Sequence, residues 1–126
     1  MKHSEITDKI LKGFYEVYNE LGDGFLESVY EKAMMIVLTG YGLEVNNQKY
    51  LPVYFRGSLV GEFKADIIVN DKVIVELKAV KAIAQEHEAQ AINYLKATGI
   101  EVALVLNFGR KPEFRRIVLD RKIAAD

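Results

Sequence analysis

The sequence predicts an α/β fold of the α+β kind, with helices packed on a mixed sheet in the order α-α-β-β-β-α-β-β. Three observations lead there. Apolar residues recur at helical spacing through the first third of the chain, and β-branched and aromatic runs replace them from Leu43 onward. Short, turn-prone breaks divide those runs into strands. A strand, a helix and a strand then follow one another, the order that carries a crossover between parallel strands.

Ile6, Ile10, Leu11, Phe14, Val17, Tyr18 and Leu21 fall three and four residues apart, so a first helix with one buried face is expected, with Ser4 or Thr7 available as its N-cap. Gly22-Asp23-Gly24 ends it. Leu26, Val29, Tyr30, Ala33, Met34, Val37 and Leu38 repeat the pattern until Gly40-Tyr41-Gly42, making a helical hairpin. Val53 to Phe55, Leu59 to Val69 and Val73 to Lys78 read as an antiparallel meander, broken at Arg56-Gly57-Ser58 and Asn70-Asp71. A helix from about Ala82 to Ala97, closed by Thr98-Gly99, leads to the apolar run Val102 to Leu106, which Asn107-Phe108-Gly109 closes. A last strand, Arg116 to Leu119, is expected at an edge.

One domain over residues 1–126 is expected, since no repeat, linker or low-complexity tract divides the chain. The chain has no Cys, which removes disulfides, zinc-thiolate sites, iron–sulfur clusters and thiol nucleophiles. Chemistry is left to carboxylates, Lys, His and hydroxyls. No glycine-rich phosphate loop and no Ser-His-Asp arrangement stands out. The longest apolar stretches fall far short of the roughly 20 residues a membrane span needs, so a cytoplasmic protein without a membrane partner is expected. A net charge of −1 gives no global pull toward nucleic acid, so binding would need a local basic patch. Arg110, Lys111, Arg115, Arg116, Arg121 and Lys122 supply one candidate, to be read as a phosphate contact or as a charged, solubilising tail.

Glu76-Leu77-Lys78 is the informative feature. Strand alternation puts Glu76 and Lys78 on one face and Leu77 on the other. On a wet face this would be a cross-strand ion pair. Val73-Ile74-Val75 is apolar at consecutive positions, however, which suggests a central strand covered on both sides, and charges there need each other, a metal or a ligand. The short Asn70-Asp71 turn sets Asp66 as far from the hairpin end as Glu76, so the two carboxylates can converge. Paired carboxylates repel unless a cation lies between them, and Mg²⁺ or Mn²⁺ suits an all-oxygen site. Lys78 would stand beside them as a fixed charge, for a metal-bound water or a developing phosphate charge.

Asp66, the step to Glu76 and Glu76-x-Lys78 resemble the PD-(D/E)XK nuclease signature, with Ala65 standing where that signature has Pro. Gly24-Phe25-Leu26-Glu27-Ser28-Val29-Tyr30, Asn93-Tyr94-Leu95-Lys96-Ala97-Thr98-Gly99 and Leu106-Asn107-Phe108-Gly109 are similar to the bacterial GxxExxY proteins, which are assigned to the same superfamily. The resemblance implies a restriction-endonuclease-like fold and a metal site of Asp66, Glu76, the main-chain carbonyl of Leu77 and Glu27, an acidic residue on the helix before the sheet. Glu27 reads equally well as a helix N-terminal carboxylate stabilised by the macrodipole. Gln90-x-x-x-Tyr94 is similar to the motif of the exonuclease-like branch, which implies Gln90 at a phosphate or water and Tyr94 at a nucleotide. His87 shares their helix face and is either a substrate contact or a hydrogen-bonded structural histidine. Gln48, Tyr50 and Tyr54 could line the cleft but read as packing residues of a strand.

A metal-dependent nuclease acting on DNA or RNA, with DNA favoured, is thus expected. Two alternatives stay open: a non-catalytic nuclease-like domain that binds nucleic acid or a protein partner, and a hydrolase of a small phosphorylated substrate. A homodimer would suit a domain that covers few base pairs, although no residue pattern demonstrates it.

Overall fold

The computed structural model describes residues 2–120, so Arg121 and Lys122 of the basic cluster lie outside it. Helices α1 (Ser4–Leu21) and α2 (Glu27–Gly40) precede strands β1 (Val45–Phe55), β2 (Ser58–Val69) and β3 (Val73–Lys78). Helix α3 (Gln85–Thr98) and strands β4 (Val102–Phe108) and β5 (Pro112–Val118) complete the order, which is the expected one. The strands form one sheet in the order β1-β2-β3-β4-β5, antiparallel throughout except for the parallel β3–β4 pair across α3. Among the described residues no helix is long and apolar enough to cross a membrane.

Sequence and structure part company at several ends. Neither Ser4 nor Thr7 caps α1. The chain turns at His3, whose φ is 53°, and the His3 carbonyl accepts the first helical N–H groups, from Ile6 and Thr7, both at 3.0 Å. Ser4 is therefore already inside the helix, and buried Thr7 instead accepts a hydrogen bond from Arg116 Nη1 at 2.7 Å. Helix α3 starts at Gln85 rather than near Ala82, because Ala84 is still extended at ψ 163°. Gly99 ends it as expected, in the left-handed region at φ 82°, with its N–H donating to the Leu95 carbonyl. Strand β5 does lie at the edge but begins at Pro112.

Alternation along the central strands builds two cores. Val73, Val75 and Leu77 of β3 join Val102, Leu104 and Leu106 of β4 against Ile10, Phe14, Tyr30, Met34 and Leu38 of the helical hairpin. Ile74, Ala103 and Val105 face the other way, onto Ala91 and Leu95 of α3. Strand β3 is thus covered on both faces, and each fully buried aliphatic side chain contributes about 1.5–3 kcal/mol.

The connections beside the end of β3 are fixed by polar contacts to the end of β4 and the start of β5. Buried Asn107 accepts from Val80 N and donates to Val80 O, both at 2.9 Å, and Glu113 Oε1 accepts from Ile83 N at 2.9 Å. These contacts hold Glu113 below the usual carboxylate range, the Ile83 N–H being the largest cause. Gly109 packs so closely that a Cβ there would meet the Val80 carbonyl at 2.6 Å. Fully buried Tyr30 stacks on Phe108 with centroids 4.0 Å apart, while its hydroxyl donates to Gly22 O at 2.6 Å and accepts from Phe25 N at 3.2 Å. The last residue of the Gly24-to-Tyr30 motif therefore pins the α1–α2 loop onto β4, which fixes where Glu27 enters α2.

Candidate functional site

The site forms where β2 leaves β3. Their ladder pairs Val69 with Val73, Ile68 with Ile74 and Ile67 with Val75, and then stops. The next pair in register would be Asp66 and Glu76. Strand β1 breaks at the same level: Asn47 pairs with Ile67 and Lys49 with Ala65, whereas Gln48 between them takes φ 52°, an uncommon conformation for a residue with a side chain. Core membership changes there too. Phe63 and Ala65 pack toward α3, but Ile67 and Val69 pack toward α1 and α2, although strict alternation would put all four on one side. This irregularity turns Asp66 into the gap between the strands, where its Oδ2 accepts from Leu77 N at 2.8 Å.

Glu76 stands beside it, only 6% exposed, with a buried Oε1 that has no hydrogen-bond partner among the described residues. Burial first, then the charge of Asp66 and a hydrogen bond with it, pushes the Glu76 carboxyl up to about 9, with Lys78 pulling the other way. Glu76 is therefore protonated at neutral pH unless a cation reaches it. Lys78, half-buried, shares its face, as alternation predicts.

From α3, Tyr94 lies within reach of both carboxylates. Burial first, then the charges of Glu76 and Asp66, raises its hydroxyl above the ordinary tyrosine value, against a hydrogen bond with Gln90. Its ring stacks on Phe63 at 3.7 Å. Gln90 and Tyr94 are thus brought to the site together. His87 is used otherwise: its Nδ1 accepts from Ala84 N at 3.0 Å and its own N–H donates to Ala84 O, closing the start of α3.

On the opposite side of the sheet, Glu27, Ser28, Glu31, Gln48, Asp66 and Leu77 line a cavity of about 370 Å³. Glu27 is exposed in the first turn of α2 and shares this cavity with Asp66. Glu31, which no sequence motif marks, accepts from Asn47 Nδ2 at 3.1 Å and from Gln48 Nε2 and so ties α2 to the irregular stretch of β1. Its signal was its place one helical turn after Glu27. A second hollow, of about 530 Å³, opens past the ends of β3 and β4 with Lys81, Arg110 and Asp23 in its wall.

The basic cluster near the C-terminus does not form a free patch among the described residues. Arg115 pairs with Glu113 at 3.3 Å and Glu88 at 3.7 Å, and Arg116 is held by Thr7 and the Lys2 carbonyl. Arg110 and Lys111 are exposed. Tyr50 and Tyr54 are not packing residues, being 62% and 64% exposed.

A divalent cation can be tested against these groups. Among the described residues no three of His, Cys, Asp and Glu stand together closely enough to hold a metal. Asp66 and Glu76 nonetheless offer two hard oxygen donors, one of them with a buried, unsatisfied oxygen, and Mg²⁺ is commonly held by one or two carboxylates plus waters. The donor set fits such an ion.

A family model for the PD-(D/E)XK nuclease superfamily matches residues 4–117. The chain belongs to this superfamily. No curated protein matches the sequence. Among solved structures, the crystal structure of SSO0001 superposes with a TM-score of 0.57 at 17% identity, over 76% of this chain and 52% of that one. This chain thus spans about half the length of that protein, and the likeness is one of fold. An alkaline exonuclease, LHK-Exo from Laribacter hongkongensis, gives a TM-score of 0.46 at 11% identity, over 99% of this chain and 75% of that one. In this PD-(D/E)XK chain the residue before Asp66 is Ala65, fully buried and paired with Lys49 in the β1 ladder. Proline there would threaten a ladder hydrogen bond.

Proposed function

We propose that this PD-(D/E)XK chain is a metal-dependent nuclease hydrolysing phosphodiester bonds in DNA, or less favourably RNA. One observation carries the proposal: Asp66 and Glu76 meet at a local break in the sheet, with a buried, unsatisfied Glu76 oxygen and Lys78 alongside. Asp66, Glu76 and the Leu77 carbonyl would hold Mg²⁺ or Mn²⁺, with Glu27 across the cavity from Asp66. The ion would supply Lewis-acid activation of a phosphoryl oxygen and of water. Lys78 provides fixed positive charge where a phosphate gains negative charge, and Gln90 and Tyr94 contact the nucleotide from α3. Lys81 and Arg110 in the neighbouring hollow suit a further phosphate. His87 acts by holding the start of α3 in place.

Within the superfamily we assign the chain to the GxxExxY proteins, as one domain acting in the cytoplasm. That no third His, Asp or Glu joins Asp66 and Glu76 among the described residues favours one competitor, a non-catalytic nucleic-acid-binding module. Incubation with labelled DNA and RNA, in Mn²⁺ and in EDTA, separates the two. Products that form only with the ion are expected. Binding with no cleavage in any divalent ion would establish the binding module instead.

A further inference from the structure

The β1–β2 hairpin outruns the rest of the sheet. β2 stays paired with β1 out to Ser58 opposite Phe55, far past Ile67, where its ladder with β3 ends. Leu51 and Phe63 at the base of this arm pack toward α3. Cross-strand partners point to the same side, so the pairs Tyr50 with Lys64 and Pro52 with Glu62 share the opposite face, and alternation along β1 adds Tyr54, which pairs with Leu59 beyond a register shift after Val53. Two residues on from Tyr50 and Lys64, at the irregular stretch of each strand, Gln48 and Asp66 line the candidate cavity. Tyr50, Tyr54 and Leu59 of this face, with Phe55 and Val60 at the tip of the arm, are each more than half exposed, an apolar surface of the kind that marks a contact.

Charge says what this surface receives. Lys64 Nζ lies 5.0 Å from the Tyr50 ring centre and the Arg56 guanidinium 5.0 Å from that of Phe55, with Glu62 the one carboxylate between residues 49 and 64. Lys49 is committed to Asp71 at 3.6 Å. Aromatic faces beside exposed cations match a chain of bases and phosphates, whereas a second copy laid arm on arm would bring Arg56 and Lys64 against their own kind. At about 3.3 Å per residue, Tyr50 and Tyr54 stand roughly 13 Å apart on one face, which suits two bases separated by one intervening nucleotide along an extended strand. A duplex keeps its bases stacked and would leave these rings unused.

We propose that the arm binds a single strand of nucleic acid continuing from the Asp66 cavity, by stacking unpaired bases on Tyr50 and Tyr54 and pairing phosphates with Lys64 and Arg56. The proposal rests on the nuclease function only for what happens in the cavity. Its test is fluorescence anisotropy in EDTA, so that nothing is cut, with a labelled oligothymidylate and a duplex of the same length. The parent is expected to prefer the single strand, and Tyr54→Ser to weaken that binding by about tenfold with an unchanged circular dichroism spectrum. Arg56→Glu is expected to weaken it as well and to flatten its salt dependence by about one phosphate contact. Parent-like affinity in both variants, a preference for duplex, or a parent dimer that the variants merely dissociate without losing affinity would each overturn the arm's role. Mn²⁺ uptake and cleavage distinguish the two proposals. If both persist in a parent whose arm variants bind as it does, the arm alone is refuted. If the parent shows neither but its arm variants lose affinity, the arm stands and the nuclease function falls.

Discussion

Asp66→Asn is expected to reduce metal-dependent cleavage to background while the protein stays folded. The amide still offers an oxygen to Leu77 N, which Asp66 Oδ2 now accepts at 2.8 Å, so the local turn of β2 survives. What disappears is one of two negative oxygen donors, and without it a divalent cation is left with the neutral Leu77 carbonyl and with Glu76, whose carboxyl burial alone still holds above its ordinary value. Lys78→Ala tests the other half of the site. Removing one preorganised charge at a developing oxyanion lowers rates by about 10²–10³-fold, and a loss of that order is expected with Mn²⁺ binding retained. Turnover by gel assay and thermal midpoint by circular dichroism check both variants. Parent-like cleavage in either would remove that residue from the chemistry.

Glu76→Gln is expected to change how stability depends on pH. The ordinary carboxyl value of 4.5 applies to the unfolded chain, whereas burial and Asp66 raise it to about 9 in the folded one. Below 4.5 both states hold the proton, and Glu76 adds no pH dependence. Between 4.5 and about 9 only the folded state holds it, so unfolding releases a proton and stability falls steadily as pH rises. Each unit of that window is worth about 1.4 kcal/mol at most, and relaxation of the site reduces the total to the order of a few kcal/mol. Glutamine carries no such proton. Urea unfolding midpoints at acid and alkaline pH should therefore converge in the variant and diverge in the parent, and parallel profiles would refute the buried, protonated Glu76. A bound cation should restore the parent at alkaline pH, because it stabilises the ionised form that the folded state otherwise disfavours.

The parts of this molecule legible in the sequence are those with a local cause. Helical spacing announces α1 and α2, consecutive apolar residues announce β3 as a strand covered twice, and Asn70-Asp71 sets the register that brings Asp66 opposite Glu76. The illegible parts have causes far away in the chain. Gln48 sits in the polar run Asn46-Asn47-Gln48-Lys49, which has little strand preference and is held in β1 by pairing with β2 and by Glu31 on α2. Nothing local marks Asn107 and Glu113 as the clasp for the β3–α3 connection. Strand tyrosines commonly pack, so the sequence points to packing roles for Tyr50 and Tyr54, yet the hairpin overruns its neighbours and leaves them exposed, which only the strand lengths reveal. Adjacency in the sequence suggests one basic patch for Arg115 and Arg116, but neighbouring strand residues point to opposite faces and find different partners.

The central claim, that Asp66 and Glu76 form a cation site, is tested most directly by calorimetric titration of Mn²⁺ into the parent and into Asp66→Asn. Saturable binding in the parent that vanishes in the variant is the predicted result. Equal binding in the two proteins, or none in the parent, would contradict it.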